Sequence, residues 1–177
     1  MLLARVTGSA TVRSPAPAFL SAFARRIETG LLPAGRRSRN RYEVTRTAPG
    51  RIAFRATDWS TALNVGLNDV DIAISTDGTA RYAIEYSRWA WYVVGLGGVI
   101  GTTMIATLLA FDIRGYLARH PASRFSRLSI DQNVAIAWAM ALFWGYVWPW
   151  ILIALHKRPL TRLMGRIIAE VDASTAR

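Results

Sequence analysis

Residues 89–111 read WAWYVVGLGGVIGTTMIATLLAF, and residues 134–155 read VAIAWAMALFWGYVWPWILIAL; these two apolar stretches decide the architecture of the chain. Neither stretch contains an Asp, Glu, Lys, Arg or His. A helix of this length extends for about 33 Å, which is enough to cross a bilayer core of about 30 Å. A surface helix of a soluble protein would need a polar face, and neither stretch has one. The sequence therefore predicts two transmembrane helices, joined into a hairpin by residues 112–133.

The composition narrows the class of protein and its partners. The chain has 177 residues, a formal net charge of +11 and no Cys, which excludes disulfides and thiolate metal sites. Of its 22 basic residues 21 are Arg, a bias that is typical of high-GC bacterial genomes. We therefore do not interpret the charge as a sign of nucleic-acid binding. The sequence predicts a protein of the bacterial inner (plasma) membrane with the lipid bilayer as partner and no nucleic acid.

Residues 1–88 are predicted to form a small soluble α+β domain. Residues 2–12 have the pattern of a first strand, and Ser14-Pro15 has the pattern of a helix start. Gly30 lies where that helix would end. The apolar residues of this helix share one face; they are Phe19, Leu20, Phe23 and Ile27.

Alternating apolar residues after a polar loop over residues 33–40 predict four or so antiparallel strands. Turns are expected at Pro49-Gly50 and Asp77-Gly78. The alternation continues through three further apolar residues, which predicts strand there as well; they are Leu63, Val65 and Leu67. One helix packed on one face of an antiparallel sheet is the fold predicted for the domain.

Residues 156–177 are predicted to form a basic amphipathic tail, with Pro159 before a new helix. Its apolar residues recur with helical spacing; they are Leu160, Leu163, Met164, Ile167, Ile168 and Val171. Such a stripe fits among acyl chains at the membrane surface, and docking on the sheet or on a second copy is the alternative.

Two clusters of basic residues are candidates for contact with lipid head groups. The first lies in the domain and comprises Arg36, Arg37, Arg39 and Arg41. The second follows the second apolar stretch and comprises Lys157, Arg158, Arg162 and Arg166. A solvated loop is an equally good interpretation of the first cluster.

Small residues recur every four positions in both apolar stretches. They are Gly97 and Gly101 in the first stretch, and Ala137, Ala141 and Gly145 in the second. Small residues let helices approach closely in lipid, so we predict that these two faces pack within the hairpin, with dimerisation between copies as the rival use. Pro149 is expected to kink the second helix.

The positive charges that flank the spans predict the orientation. Six basic residues flank the spans on the side of the termini: Arg81, Arg88, Lys157, Arg158, Arg162 and Arg166. Four lie in the connecting loop: Arg114, Arg119, Arg124 and Arg127. We therefore predict that both termini are cytoplasmic.

No sequence motif indicates catalysis. Asp69 and Asp71 form a D-x-D, but two residues apart on a strand they fit the solvated face of a half-buried sheet. We predict no catalytic, cofactor-binding or metal-binding residue and no cofactor, and we do not expect an enzyme.

The favoured function is a binding or assembly module held at the membrane, whose partner is another membrane protein or a second copy. An oligomeric channel or transporter subunit and a membrane enzyme with a nonstandard site are the alternatives.

Overall fold

The computed structural model describes residues 4–31, 41–123, 125 and 127–176. The chain divides into two compact units: the first comprises Met1–Trp91 and Ala154–Arg177, and the second comprises Tyr92–Ile153. Along the sequence the second unit is therefore an insertion into the first. The first unit combines a five-stranded antiparallel sheet with helices, which confirms the predicted mixed α+β class.

Five antiparallel strands form the sheet of the first unit. They are β1 (Arg5–Thr11), β2 (Tyr42–Ala48), β3 (Arg51–Ala56), β4 (Asp69–Ile74) and β5 (Thr79–Glu85), in the spatial order β1-β5-β4-β3-β2. The turns at Pro49-Gly50 and Asp77-Gly78 lie between paired strands, as the sequence predicts. Alternate residues of β3, β4 and β5 are buried, so one face of the sheet, the inner face, belongs to the core.

Helix α1 (Ala16–Thr29) covers part of this inner face and contacts β2 and β3. The predicted apolar face is confirmed, because Phe19, Leu20, Phe23 and Ile27 are all buried. The ring of Phe23 lies 6.0 Å from that of Phe54 on β3. The helix starts immediately after Pro15 and ends before Gly30, as its local sequence predicts.

The predicted strand through Leu63, Val65 and Leu67 is wrong, because Trp59–Val65 forms a helix, α2. Its caps explain the difference. The Asp58 carboxylate accepts a hydrogen bond from the Thr61 N–H at 2.7 Å, and Gly66 ends the helix with a left-handed φ of 79°. The helix-start signal at Asp58 and the helix-end signal at Gly66 outweigh an alternation that involves only three apolar residues.

Two helical segments are long and apolar enough to cross a membrane. The first is α3 (Ser87–Ala110). The second is a continuous helical run over Ile130–Thr175, made of α5 (Ile130–Leu142), a π-helical turn (Phe143–Val147) and α6 (Trp148–Thr175). Between them lie α4 (Ile113–Arg119) and a short 3₁₀ turn.

Helix α6 continues through Pro159, whereas the sequence predicts a new helix after that residue. Pro159 cannot donate a hydrogen bond to the carbonyl of Leu155, which costs about 3 kcal/mol in a helix interior. The burial of apolar residues in the turns that follow offsets this cost, because Leu160 and Met164 are 1% and 0% exposed.

The apolar stripe of α6 completes the core of the first unit. Five of its six residues are buried: Leu160, Met164, Ile167, Ile168 and Val171. The Tyr82 hydroxyl on β5 donates to the Thr161 carbonyl at 3.3 Å, which ties α6 to the sheet. The expectation that the stripe lies among acyl chains is therefore corrected, because the protein itself covers it. The domain predicted to end at residue 88 also draws on residues 160–171 for its core.

Candidate functional site

The outer face of the sheet, opposite α1, carries charged residues on all five strands. One row of directly opposed residues crosses all five strands, and every member is charged: Arg5, Glu85, Asp69, Arg55 and Glu43. The positions arise from strand alternation, since their sequence neighbours point into the core. The outer face is therefore an ordered array of both signs of charge.

Ion pairs fix part of this array. Arg51 makes a two-point contact with Asp71, in which Nε donates to Oδ1 at 2.7 Å and Nη2 donates to Oδ2. Arg55 donates to Glu43 at 2.5 Å. The hydrogen bond and the charge of Asp71 raise the pKa of Arg51 above its ordinary value. Exposed pairs of this kind contribute little to stability. They do hold these side chains in defined positions on the outer face.

A shallow groove of about 460 Å³ runs along this face. The residues that line it include two small ones, Ala73 and Ala83, and three cations; these are Arg5, Arg51 and Arg81. A second groove of about 340 Å³ lies next to it and includes Ala53, Asp69 and Glu85. Both grooves are open to solvent and lie across β3, β4, β5 and the edge strand β1.

The D-x-D pair, Asp69 and Asp71, lies on the outer face, where the sequence predicts it. Asp71 is held by Arg51, and Asp69 lies between Glu85 and Arg55 in the strand register. Within residues 4–31, 41–123, 125 and 127–176, no three His, Asp or Glu side chains lie close enough to hold a metal ion.

The small residues of the second unit come together. A Cβ built on Gly101 would lie 2.6 Å from the Gly145 Cα, and one built on Gly145 would collide with the Gly101 Cα. A Cβ on Gly97 would collide with the Pro149 ring. Ala141 is fully buried and Ala137 is half-buried. The two helices thus approach closely enough at these positions to leave no room for a side chain.

A π-helical turn lies just before Pro149, the residue at which the sequence predicts a kink. The Trp148 N–H donates to the Phe143 carbonyl, five residues earlier, immediately before the proline. Pro149 has no N–H for the Gly145 carbonyl, and this oxygen lies 2.9 Å from the position of a Gly97 Cβ. The absence of a side chain at Gly97 thus lets the first helix come close to this carbonyl.

The predicted lipid-binding residues fall in two places. Arg36, Arg37 and Arg39 lie outside the described residues. Arg41 is exposed, and its backbone N–H donates to the Thr61 hydroxyl at 3.0 Å, which attaches it to α2. In the second cluster Arg158, Arg162 and Arg166 are exposed and Lys157 is half-buried, all on the part of α6 that belongs to the first unit.

Asp172 makes a long-range contact that the sequence analysis did not predict. Its carboxylate accepts hydrogen bonds from the backbone N–H groups of Arg13, at 3.1 Å, and Ser14, at 2.9 Å. The Ser14 hydroxyl donates in return to the Asp172 carbonyl at 3.3 Å. Burial alone would raise the pKa of the Asp172 carboxyl, but the hydrogen bonds from Ser14 and Arg13 outweigh it and hold this pKa below its ordinary value. The end of α6 is thereby fixed to the link between β1 and α1.

This contact makes the stability of the first unit depend on pH. A carboxyl whose pKa is lower in the folded state stabilises that state above its unfolded pKa, about 4, and loses this contribution as pH falls further. We expect Asp172→Asn to lower the free energy of unfolding at pH 7 by about 1–3 kcal/mol, because two donors lose a charged acceptor.

Chemical denaturation of the full chain in detergent at pH 7 and pH 3 checks this prediction. The gap between the wild type and Asp172→Asn should shrink at the lower pH. Glu28→Gln, on the exposed side of α1, is the matched control and should change neither value. An equal gap at both pH values would contradict the role assigned to the charge.

His156 is the second feature that the sequence did not reveal. Its imidazole stacks on Trp89, with ring centroids 3.9 Å apart and an interplanar angle of 7°, and meets Tyr86 edge-on at 5.7 Å. Burial lowers its pKa below the ordinary value. Its Nε2 is buried and has no hydrogen-bond partner in the described part of the chain. A Cβ on Gly66 would collide with Nε2, so the close approach of the ring also favours glycine there. His156 thus joins α6, the start of α3 and the end of α2.

Comparison of the chain with protein-family models, curated proteins and solved structures finds no match.

Proposed function

We propose that the chain is a two-span integral membrane protein that holds an α+β binding or assembly module at the cytoplasmic surface of the bilayer. In this proposal the spans are α3 and the helical run from α5 into the first turns of α6. The first unit is the module, and its outer sheet face receives the partner.

The exposure of the apolar helices carries the proposal. Only 11% of the most apolar 18-residue window of α3 is buried, and the corresponding value for the run over Ile130–Thr175 is 22%. The core helix of a soluble protein would be mostly buried. Large apolar side chains such as Val99 and Leu109 are instead 66% and 72% exposed. Uncovered apolar surface over such lengths fits a hydrocarbon environment far better than water.

The outer face supports the binding role because the inner face is already occupied. Helix α1 and the buried stripe of α6 fill the inner face. The outer face presents open grooves that are lined by charges of both signs and by small residues. Arrays of this kind select partners through electrostatic complementarity. A charged segment of another membrane protein, or of a second copy, is the partner that this surface fits.

Extraction of the protein from membranes in a mild detergent, followed by co-purification, tests the binding role. We expect a stable partner or a homo-oligomer with the wild type and its loss with Arg81→Glu, which reverses a charge at the groove. Arg25→Glu, an equal charge reversal on the exposed side of α1, should retain the partner. Equal retention by both variants would contradict the placement of the binding surface.

The orientation is tested by reporter fusions. Fusions at residues 1 and 177 should both report a cytoplasmic location, and a tag near Pro121 should be exposed on the opposite side. The first unit contains residues from before and after the two apolar helices, so both ends are expected on one side. Protease cleavage of the connecting loop only from the cytoplasmic side would overturn this orientation.

A further inference from the structure

The edge of the first unit formed by α2 carries an exposed tryptophan. Trp59, the first residue of α2, is 59% exposed. Ser60 and Asn64 are exposed beside it, and Leu63, one turn further on, is half-buried. A single exposed apolar side chain is common on protein surfaces, so the role of Trp59 depends on what surrounds it.

Hydrogen bonds fix α2 to the first turn of α3. The buried Asn68 side chain donates to the Ala62 carbonyl of α2 at 3.0 Å. Its oxygen accepts from the backbone N–H groups of Arg88, at 2.7 Å, and Trp89, at 3.4 Å, which lie at the start of α3. The chain before α2 is attached as well, because the Arg88 guanidinium donates to the Ala56 carbonyl at 3.0 Å. The α2 edge therefore lies where the chain enters its first apolar helix.

The same edge combines aromatic and cationic side chains. Trp91, in the first turns of α3, is 60% exposed, and Trp89 stacks on His156. Arg41 is attached to α2 through Thr61, and Lys157 and Arg158 directly follow His156. Asp58, the nearest acidic residue in the sequence, is occupied as the cap of α2. Trp together with Lys and Arg is the composition that proteins place at the boundary between lipid and water.

From this continuity we infer that the α2 edge is a lipid contact site, in which Trp59 inserts into the head-group region of an anionic bilayer. The inference rests on the proposed membrane insertion of α3. It adds a second attachment to the one that the helices provide, because Trp59 would fix how the module lies on the bilayer. The basic residues beside it would meet the anionic head groups.

Single-cysteine labelling in proteoliposomes tests the site, and the chain is suited to it because it contains no native Cys. A fluorophore is attached at Ser60→Cys, and quenching is measured with a nitroxide carried by the lipid near the head groups. We expect quenching at residue 60 at least about threefold stronger than at Thr76→Cys, an exposed position in the turn at the other end of β4 and β5. Trp59→Ser in the Ser60→Cys background should remove this difference, and vesicles without anionic lipid should reduce it.

A label at a third position distinguishes failure of the Trp59 contact from failure of the membrane proposal. A label at Val99→Cys, on the exposed side of α3, should be strongly quenched by nitroxides deep in the acyl chains. Quenching at residue 99 without quenching at residue 60, or quenching at residue 60 that survives Trp59→Ser, would overturn the lipid role of Trp59 alone. Absence of quenching at residue 99 would overturn the membrane proposal and this inference with it.

Discussion

Loss of the C-terminal segment should abolish the cooperative unfolding of the α+β domain. A protein of residues 1–88 lacks five side chains that complete the core, all on α6 between residues 160 and 171. Truncation of a single buried Leu, Ile or Met to Ala costs about 2–5 kcal/mol. The five together cost about 10–25 kcal/mol, which equals or exceeds the total stability of a small domain, about 5–15 kcal/mol. We therefore expect residues 1–88 alone to melt without a cooperative transition.

Two neighbouring positions of α6 give a matched pair of point variants for the same prediction. Ile167 is 0% exposed, and Arg166 beside it is exposed. In the full chain, Ile167→Ala should lower the free energy of unfolding by about 2–5 kcal/mol, whereas Arg166→Ala should change it by no more than about 0.5 kcal/mol. Denaturation in detergent, monitored by circular dichroism, measures the free energy of unfolding of both variants. A sharp melt of residues 1–88 at the temperature of the full chain would refute the role of α6.

Replacement of the closest small residues by leucine should produce the largest effect in the second unit. Gly101 and Gly145 approach each other through their Cα atoms, so Gly101→Leu or Gly145→Leu has to separate the two helices. Overpacking of this kind costs about 1–3 kcal/mol even where side chains can adjust, and here the obstacle is backbone. We expect both variants to lose resistance to thermal unfolding in detergent.

Helix α3 also contains two glycines that serve as controls for this prediction. A Cβ on Gly95 or Gly98 would meet nothing within 4 Å, so Gly95→Leu and Gly98→Leu should leave the stability unchanged or slightly raised. Equal losses at all four glycines would show that close approach is not what matters. Loss of an oligomer with no loss of monomer stability would instead favour packing between copies.

Local patterns account for the parts of the fold that the sequence predicts well. The face of α1 and the alternation in β3, β4 and β5 each lie within a few consecutive residues, and burial on one face imposes them directly. The error at α2 has the same origin, since Leu63, Val65 and Leu67 alternate by chance over too few positions. Asp58 and Gly66 were the better signals, because caps at both ends of a short segment specify a helix.

The contacts of α6 could not be predicted from local patterns, since Asp172 and Ser14 are 158 positions apart. One signal was nevertheless present in the stripe itself. Asp172 follows Ile168 by four residues, so its carboxylate continues the apolar face. A charge on that face would be costly among acyl chains, whereas a folded domain can satisfy it with backbone donors. The position of the carboxylate thus favoured protein over lipid as the cover of the stripe.

The core residues of α6 follow both apolar stretches in the sequence, which sets the order in which the ribosome makes them. The ribosome completes both apolar helices before it makes the residues that close the domain core. At about 5–20 residues per second, residues 92–177 take roughly 4–17 s to synthesise. During this interval the nascent sheet has only α1 to cover its inner face. Under the proposed topology both spans are therefore made before the domain can fold, and a ribosome that stalls before residue 160 leaves an unfinished domain for chaperones and proteases to recognise.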